Sequence, residues 1–233
     1  MEKPDIVFAY LVVKNLTLSA GYGTEIAWQA ARDYESVSET DFLREYAWVV
    51  LSAGMQESIV RRRFQSFSKC FCDWCSSKAI VEQESACRLN ALACFNNRRK
   101  IDSILQTAHI IESLGFGLFK EYMGQNPLEF LKTLPYIGPV TCYHLAKNIG
   151  LPVAKPDRHL VRLANSMGYC DVQEFCRAIS EHVSDSIPVV DIVLWRFATI
   201  TDTYIRLFRN IAYEELGSPI CDDVAGSRSA ILQ

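Results

Sequence analysis

Residues 127–162 read PLEFLKTLPYIGPVTCYHLAKNIGLPVAKPDRHLVR, and this stretch carries most of what the chain discloses. Asn126 stands where a helix N-cap belongs, ahead of Pro127 at the first helical position, and the apolar spacing predicts a helix to about Leu134. Pro135-Tyr136-Ile137-Gly138-Pro139 predicts a tight hairpin. A second helix is expected over 140–148, closed by Gly150. Gly138 is read as the residue that turns with positive φ or lets another backbone approach closely. Pro139 fits the first turn of that helix, where its missing N–H would go unpaired in any case. The N–H groups at the helix start favour an anion, and a DNA phosphate is one. The plain alternative is an ordinary helix–turn–helix connection. Beyond the loop 151–156, Asp157 heads a further helix to about Met167, either as a simple N-cap or as a functional carboxylate.

Outward from there, most of the chain reads as helix. Residues 40–51 place Phe42, Leu43, Tyr46, Val49 and Val50 on one stripe, and 59–71 repeat the pattern with Phe64, Phe67 and Phe71 opposite basic residues. Residues 86–94 form a short helix or turn. Residues 99–114 are amphipathic, with Gly115 and Gly117 as the stop. Residues 172–182 and 189–216 are expected to be helical, and the tail after Gly217 to fray. Only 6–13 has a β-branched look, and it fits either a strand or a buried helix.

With 233 residues the chain holds one large domain or two small lobes. Hydrophobic residues at 49% and charged residues at 22% argue against disorder. The apolar run 6–13 is too short to span a bilayer and lacks the features of a signal peptide, so no membrane association and an intracellular protein are expected. A net charge of −3 does not advertise a nucleic-acid binder. Basic residues nonetheless cluster at Arg61-Arg62-Arg63, Arg98-Arg99-Lys100 and Arg158 with Arg162, either as solvated faces or as phosphate contacts. Nine cysteines without a secretory signal are read as reduced thiols. Cys70, Cys72 and Cys75 leave a zinc site or redox pair open beside incidental thiols. Cys87 and Cys94, with six residues between them, make a poor second zinc knuckle. No four-cysteine cluster near the C-terminus suits an iron–sulfur centre.

The stretch 127–162 resembles the helix-hairpin-helix DNA glycosylase superfamily, which includes endonuclease III, 8-oxoguanine glycosylase and the 3-methyladenine glycosylases. The family pattern runs hairpin, second helix, Gly/Pro-rich loop, then an essential Asp about twenty residues after the hairpin glycine. Gly138 and Asp157 stand nineteen apart. Asp157-Arg158-His159 matches the Asp-x-His of 8-oxoguanine-type members. Val50-Leu51-Ser52-Ala53 looks like the end of the helix before the family's DNA-wedging loop, and Arg98-Arg99-Lys100-Ile101 is similar to an R-x-K-I pattern ahead of the hairpin. The likeness spans roughly residues 40–165.

The resemblance implies an all-α fold of two helical lobes with an active-site cleft between them. The central lobe would be 39–149, with the helix-hairpin-helix at 127–148, and the second 1–38 plus 150–233. It implies that Asp157 is catalytic, stabilising positive charge on the sugar or steering a water while an N-glycosidic bond breaks. Gly138, Pro139, Val140, Arg158 and His159 would touch phosphates, as would Arg61. Met55 or Gln56 would fill the gap left by a flipped nucleotide. Trp48, Tyr46, Tyr136 and Tyr143 are possible walls of the base pocket, each with the alternative of plain core. Trp195 is in the same position, and Glu57 or Asp191 could read a base edge. Where strand-cleaving members carry a nucleophilic Lys, this chain has Val140. That implies a monofunctional enzyme using water, unless Lys147 or Lys155 substitutes. The alternatives are a bifunctional glycosylase/lyase and a non-catalytic DNA-binding protein. The implied partner is double-stranded DNA with a damaged or modified base, bound by a monomer in the cytoplasm and nucleoid, or the nucleus. No cofactor is implied for the chemistry, no iron–sulfur cluster and no metal ligand set, only a monovalent cation on hairpin carbonyls.

Overall fold

The computed structural model describes residues 4–213. Among them the chain is helical, with no strand. In order the helices are α1 (Ile6–Thr17), α2 (Gly23–Ala30), α3 (Glu39–Ser52), α4 (Glu57–Cys70), α5 (Ser77–Glu82), α6 (Glu84–Cys94) and α7 (Arg98–Leu114). They continue as α8 (Phe116–Gln125), α9 (Pro127–Thr133), α10 (Thr141–Asn148), α11 (Arg158–Ser166), α12 (Val172–Ser180), α13 (Ile187–Ile200) and α14 (Tyr204–Ala212). By contact the chain divides into two compact units, 1–31 with 152–233, and 32–151.

In the first unit, residues 6–13 are helix, not strand. Asp5 caps α1 through Phe8 N–H (2.8 Å), and Ile6, Ala9, Tyr10 and Val13 recur at helical spacing on the buried face. That face packs on α13 and α14, whose apolar positions complete the core with Leu160, Leu163, Phe175 and Ile179. Lys14 and the Tyr10 hydroxyl both bond Asp185 (2.6 Å each), so the polar groups beside this core are paired. The helical run Ile6–Ala30 is 25 residues long with a mean hydropathy of 1.3 over an 18-residue window, long and apolar enough by composition to cross a membrane. The eight-residue apolar run of the sequence understated it, because Leu16 and Leu18 extend the stretch past Lys14 and Asn15. Gly21, at φ 93°, interrupts its helical geometry. The expected helix 189–216 is broken. α13 stops at Ile200, Thr201 is extended, and α14 begins at Tyr204. Residues 214–216 and the tail after Gly217 lie outside the described residues.

The second unit holds the hairpin. Ser38 and Asp41 form a reciprocal capping box at the start of α3, and the Ser38 hydrogen bond holds the Asp41 carboxyl below the usual carboxylate range. α3 and α7 run through its core: Phe42, Leu43, Tyr46, Val50, Ile101, Ile104 and Ala108 are buried. Between α4 and α5 the chain makes a left-handed turn, with Cys72, Asp73 and Trp74 at φ 54°, 49° and 64°. Left-handed backbone costs about 1–2 kcal/mol per residue. Trp74 offsets it: buried, it stacks on Phe71 (5.1 Å) and donates its indole N–H to Ser68 Oγ (2.8 Å). Gly115 ends α7 at φ 75°, but Gly117 lies inside α8. With the turn already made, nothing stops the next helix starting one residue later. Asn126 occupies the N-cap position of α9, yet its side chain makes no capping bond.

Candidate functional site

The hairpin between α9 and α10 is a set of short local bonds. Ile137 N–H donates to Leu134 O (3.2 Å), and Gly138 N–H donates to Thr141 Oγ1 (2.7 Å). The positive φ falls on Tyr136 (65°), not on Gly138. The positive-φ reading of Gly138 is corrected, and its amide is taken up by Thr141. Open space is what remains to it, since a Cβ there would meet only Thr141 Oγ1 at 3.8 Å. Pro139 lies one residue before the N-cap Val140, not in the first helical turn. Pro139 and Val140 are exposed, and the first helical bond at this end is Cys142 N–H to Gly138 O (3.0 Å). The amides of Val140 and Thr141 therefore precede the helical ladder, the position from which a helix start binds an anion.

The loop after α3 turns at Gly54 (φ 71°). Met55 is half-buried and Gln56 exposed. Glu57, a possible reader of a base edge, is the first residue of α4 and is ion-paired with Arg61, whose Nε donates at 2.9 Å. The Arg61 guanidinium also lies over Trp48 (5.5 Å). Arg62 and Arg63 are exposed on the same helix. Lys100 departs from the basic cluster in which the sequence placed it. It is 2% exposed, and its ammonium donates to Leu51 O and Ala53 O, 2.7 Å each.

Of the possible base-pocket walls, Tyr46 is removed. It is fully buried, and its hydroxyl donates to Pro135 O (2.6 Å) and lies 3.2 Å from Ser103 O, which makes it a strut under the hairpin. Trp48 is half-buried, edge-on to Phe64 (5.2 Å). Tyr143 is half-buried and Tyr136 exposed. In the other unit, half-buried Trp195 lies under the Arg196 guanidinium (4.4 Å), which is paired with Glu25 (2.6 Å). Asp191 is buried, and Oδ2 accepts Lys155 N–H (2.6 Å), so it holds backbone and cannot read a base.

Asp157 caps α11 through one oxygen: Oδ1 accepts from His159 N–H (2.9 Å) and Leu160 N–H (3.1 Å). Oδ2 is not used by these bonds. The loop leading to it is clamped from behind. Gln173 accepts Ala154 N–H (2.8 Å) and donates back to Ala154 O (2.5 Å), while Asp191 holds Lys155 N–H. Arg158 is exposed and donates to His159 Nε2 (3.2 Å). The His159 ring meets Tyr204 edge-on (5.7 Å), so it packs against α14 and is only half-exposed to any phosphate. Burial raises the Tyr204 phenol above its ordinary range.

The sequence does not single out Gln173, and it points to other roles for Asp191 and Lys100 than the backbone-holding ones they have. A lone carboxylate inside Ile187–Trp195, an otherwise apolar run, was a readable sign of a buried hydrogen bond. Gln173 carries no such sign, and the neighbouring arginines hid Lys100. The cysteines meet in pairs: Cys87 lies against Cys72, and burial raises its thiol pKa to about 12. Cys70 Sγ lies 3.8 Å from Cys94 Sγ, Cys72 faces Ala79 O (3.8 Å), and Cys75 is exposed. Among the described residues no three His, Cys, Asp or Glu side chains gather in a metal-holding group. No family model, curated protein or solved structure matches this chain.

Proposed function

We propose that the chain is a monofunctional DNA glycosylase that flips a damaged or modified base and hydrolyses its N-glycosidic bond, leaving an abasic site. The observation that carries the reading is Asp157. One oxygen is fixed at a helix start, the other is left over, and two distant side chains pin the loop beneath it, nineteen residues after the hairpin glycine. A carboxylate so held is preorganised for charge that develops elsewhere. As the C1′–N bond breaks, electrons leave with the base and the sugar becomes cationic. Asp157 stabilises that cation, a water oxygen bonds C1′, and the proton the water loses balances the one the departing base takes up. The hairpin amides of Val140 and Thr141 hold a phosphate, with Arg158 as a further contact. Val140 supplies no amine, and Lys147 is buried on α10, which supports hydrolysis over Schiff-base chemistry.

The reading carries with it the two-lobed form and the cleft that the resemblance implies, a duplex with one altered base as partner, and a compartment that contains DNA. The test is a panel of duplexes, each with one lesion or modified base, scored for alkali-labile sites with the wild type and Asp157→Asn. Base release by the wild type alone supports the proposal. Release trapped by borohydride points to the lyase alternative. Tight binding without release of any base marks a non-catalytic DNA-binding protein.

A further inference from the structure

Three parts of the second unit meet at one ammonium. Lys100 Nζ donates to Leu51 O and Ala53 O (2.7 Å each), carbonyls that the last turn of α3 cannot satisfy within itself. A cation is favoured at a helix C-terminus, and this one is out of water, with burial lowering its pKa. The same ammonium lies 5.6 Å from the ring centroid of Tyr136 and 5.7 Å from that of Phe95. Tyr136 is the left-handed residue of the hairpin, and Ala53 immediately precedes the Gly54–Gln56 turn. One turn further along α7, Ser103 O meets the Tyr46 hydroxyl that also bonds Pro135 O. The first turns of α7 thus touch both the loop expected to wedge and the hairpin expected to grip.

From this geometry we propose that Lys100 is a positioning residue that holds the 53–56 loop and the 135–140 hairpin in a fixed relation, so that both engage one duplex together. The inference rests on the glycosylase reading for its purpose but not for its coupling. A side chain that only filled space would stabilise α7 without tying the mobility of one loop to the other. Lys100 makes its directional bonds to one and lays its charge on the ring of the other.

The test compares Lys100→Met, Lys100→Arg and Tyr136→Asn with Ile104→Val, a core control on the same helix. Amide hydrogen exchange is followed at 54–57 and 136–141, and affinity is measured for a duplex with a tetrahydrofuran abasic analogue and for undamaged duplex. Lys100→Met is expected to speed exchange at both segments at least tenfold and to weaken abasic-duplex binding at least tenfold. Lys100→Arg should recover most of both. Tyr136→Asn, whose new side chain tolerates φ 65°, should speed exchange at 54–57 about threefold, and it carries the test if the methionine variant fails to fold. Exchange that rises in one segment only, or equally in Ile104→Val, overturns the coupling. Coupled exchange with unchanged abasic-duplex affinity overturns the positioning role. A wild type with no preference for the abasic duplex sinks the glycosylase reading, and the exchange results then still decide the coupling.

Discussion

Gly138 and Thr141 close the hairpin across three residues, whereas Ala154 and Lys155, on the loop before Asp157, are held by Gln173 and Asp191 from 19 and 36 residues away. The two regions present their groups by different means. The hairpin's hydrogen bonds are mostly its own, with two braces from outside, Tyr46 on Pro135 O and the Lys100 ammonium on the Tyr136 ring. The Asp157 loop owes its shape to α12 and α13. Its last bond alone, Asp157 N–H to Lys155 O (2.8 Å), is internal. Damage to α12 or α13 should therefore reach Asp157, while the hairpin answers to its own bonds and to its braces on α3 and α7.

The largest effect is expected at Asp157 itself. Asp157→Asn keeps the cap, since Asn serves as well as Asp at that position, so stability should move by no more than about 1 kcal/mol. Base release should fall about 10²–10³-fold in single-turnover excision, in line with loss of one preorganised electrostatic group. An Asn variant that stays active removes the carboxylate from the mechanism. Gln173→Ala comes next. It strips Ala154, which is fully buried, of partners for both N–H and C=O, at about 1–3 kcal/mol for each group. Urea denaturation should show that loss, and excision should fall with it while hairpin exchange stays at the wild-type rate. Gln173→Glu retains an acceptor for the N–H and should lose about half as much. Tyr46→Phe deletes the hydroxyl on Pro135 O and should cost about 1 kcal/mol, with faster exchange confined to the hairpin. Thr141→Val is the smallest, at most about 1 kcal/mol, because the freed Gly138 amide is half-exposed and water can replace Thr141. If Thr141→Val proved worse than Gln173→Ala, the contrast between the two regions would be reversed.

How much of this was readable follows the same division. Periodicity puts a helix over 99–114, within a residue of α7, and the cap is one of the two readings that Asp157 offers from sequence. Both depend on neighbours in sequence. Lys100 was read as part of a surface cluster because its burial is decided by the end of α3, about fifty residues earlier. Of the two readings of Gly138, positive φ belongs instead to Tyr136, and close approach of another backbone is the one left. The error came from using the general preference of glycine for positive φ, while here the Lys100 ammonium lies against Tyr136 and accompanies the costlier choice. Helix 6–17 was ambiguous because β-branched residues fill either element, and only packing on α13 and α14 resolved it. Tyr46 shared the apolar stripe of its helix, which already leaned towards core.

Gly150 ends the turn after α10 at φ 91°, and a Cβ there would stand 2.6 Å from Tyr34 N and 2.7 Å from the Asp33 carbonyl carbon. Both atoms are backbone and cannot step aside as a flexible side chain would. Position 150 therefore accepts a single amino acid. In the gene, the third base of that codon is free to drift, while the first two are fixed by the width of a hydrogen atom.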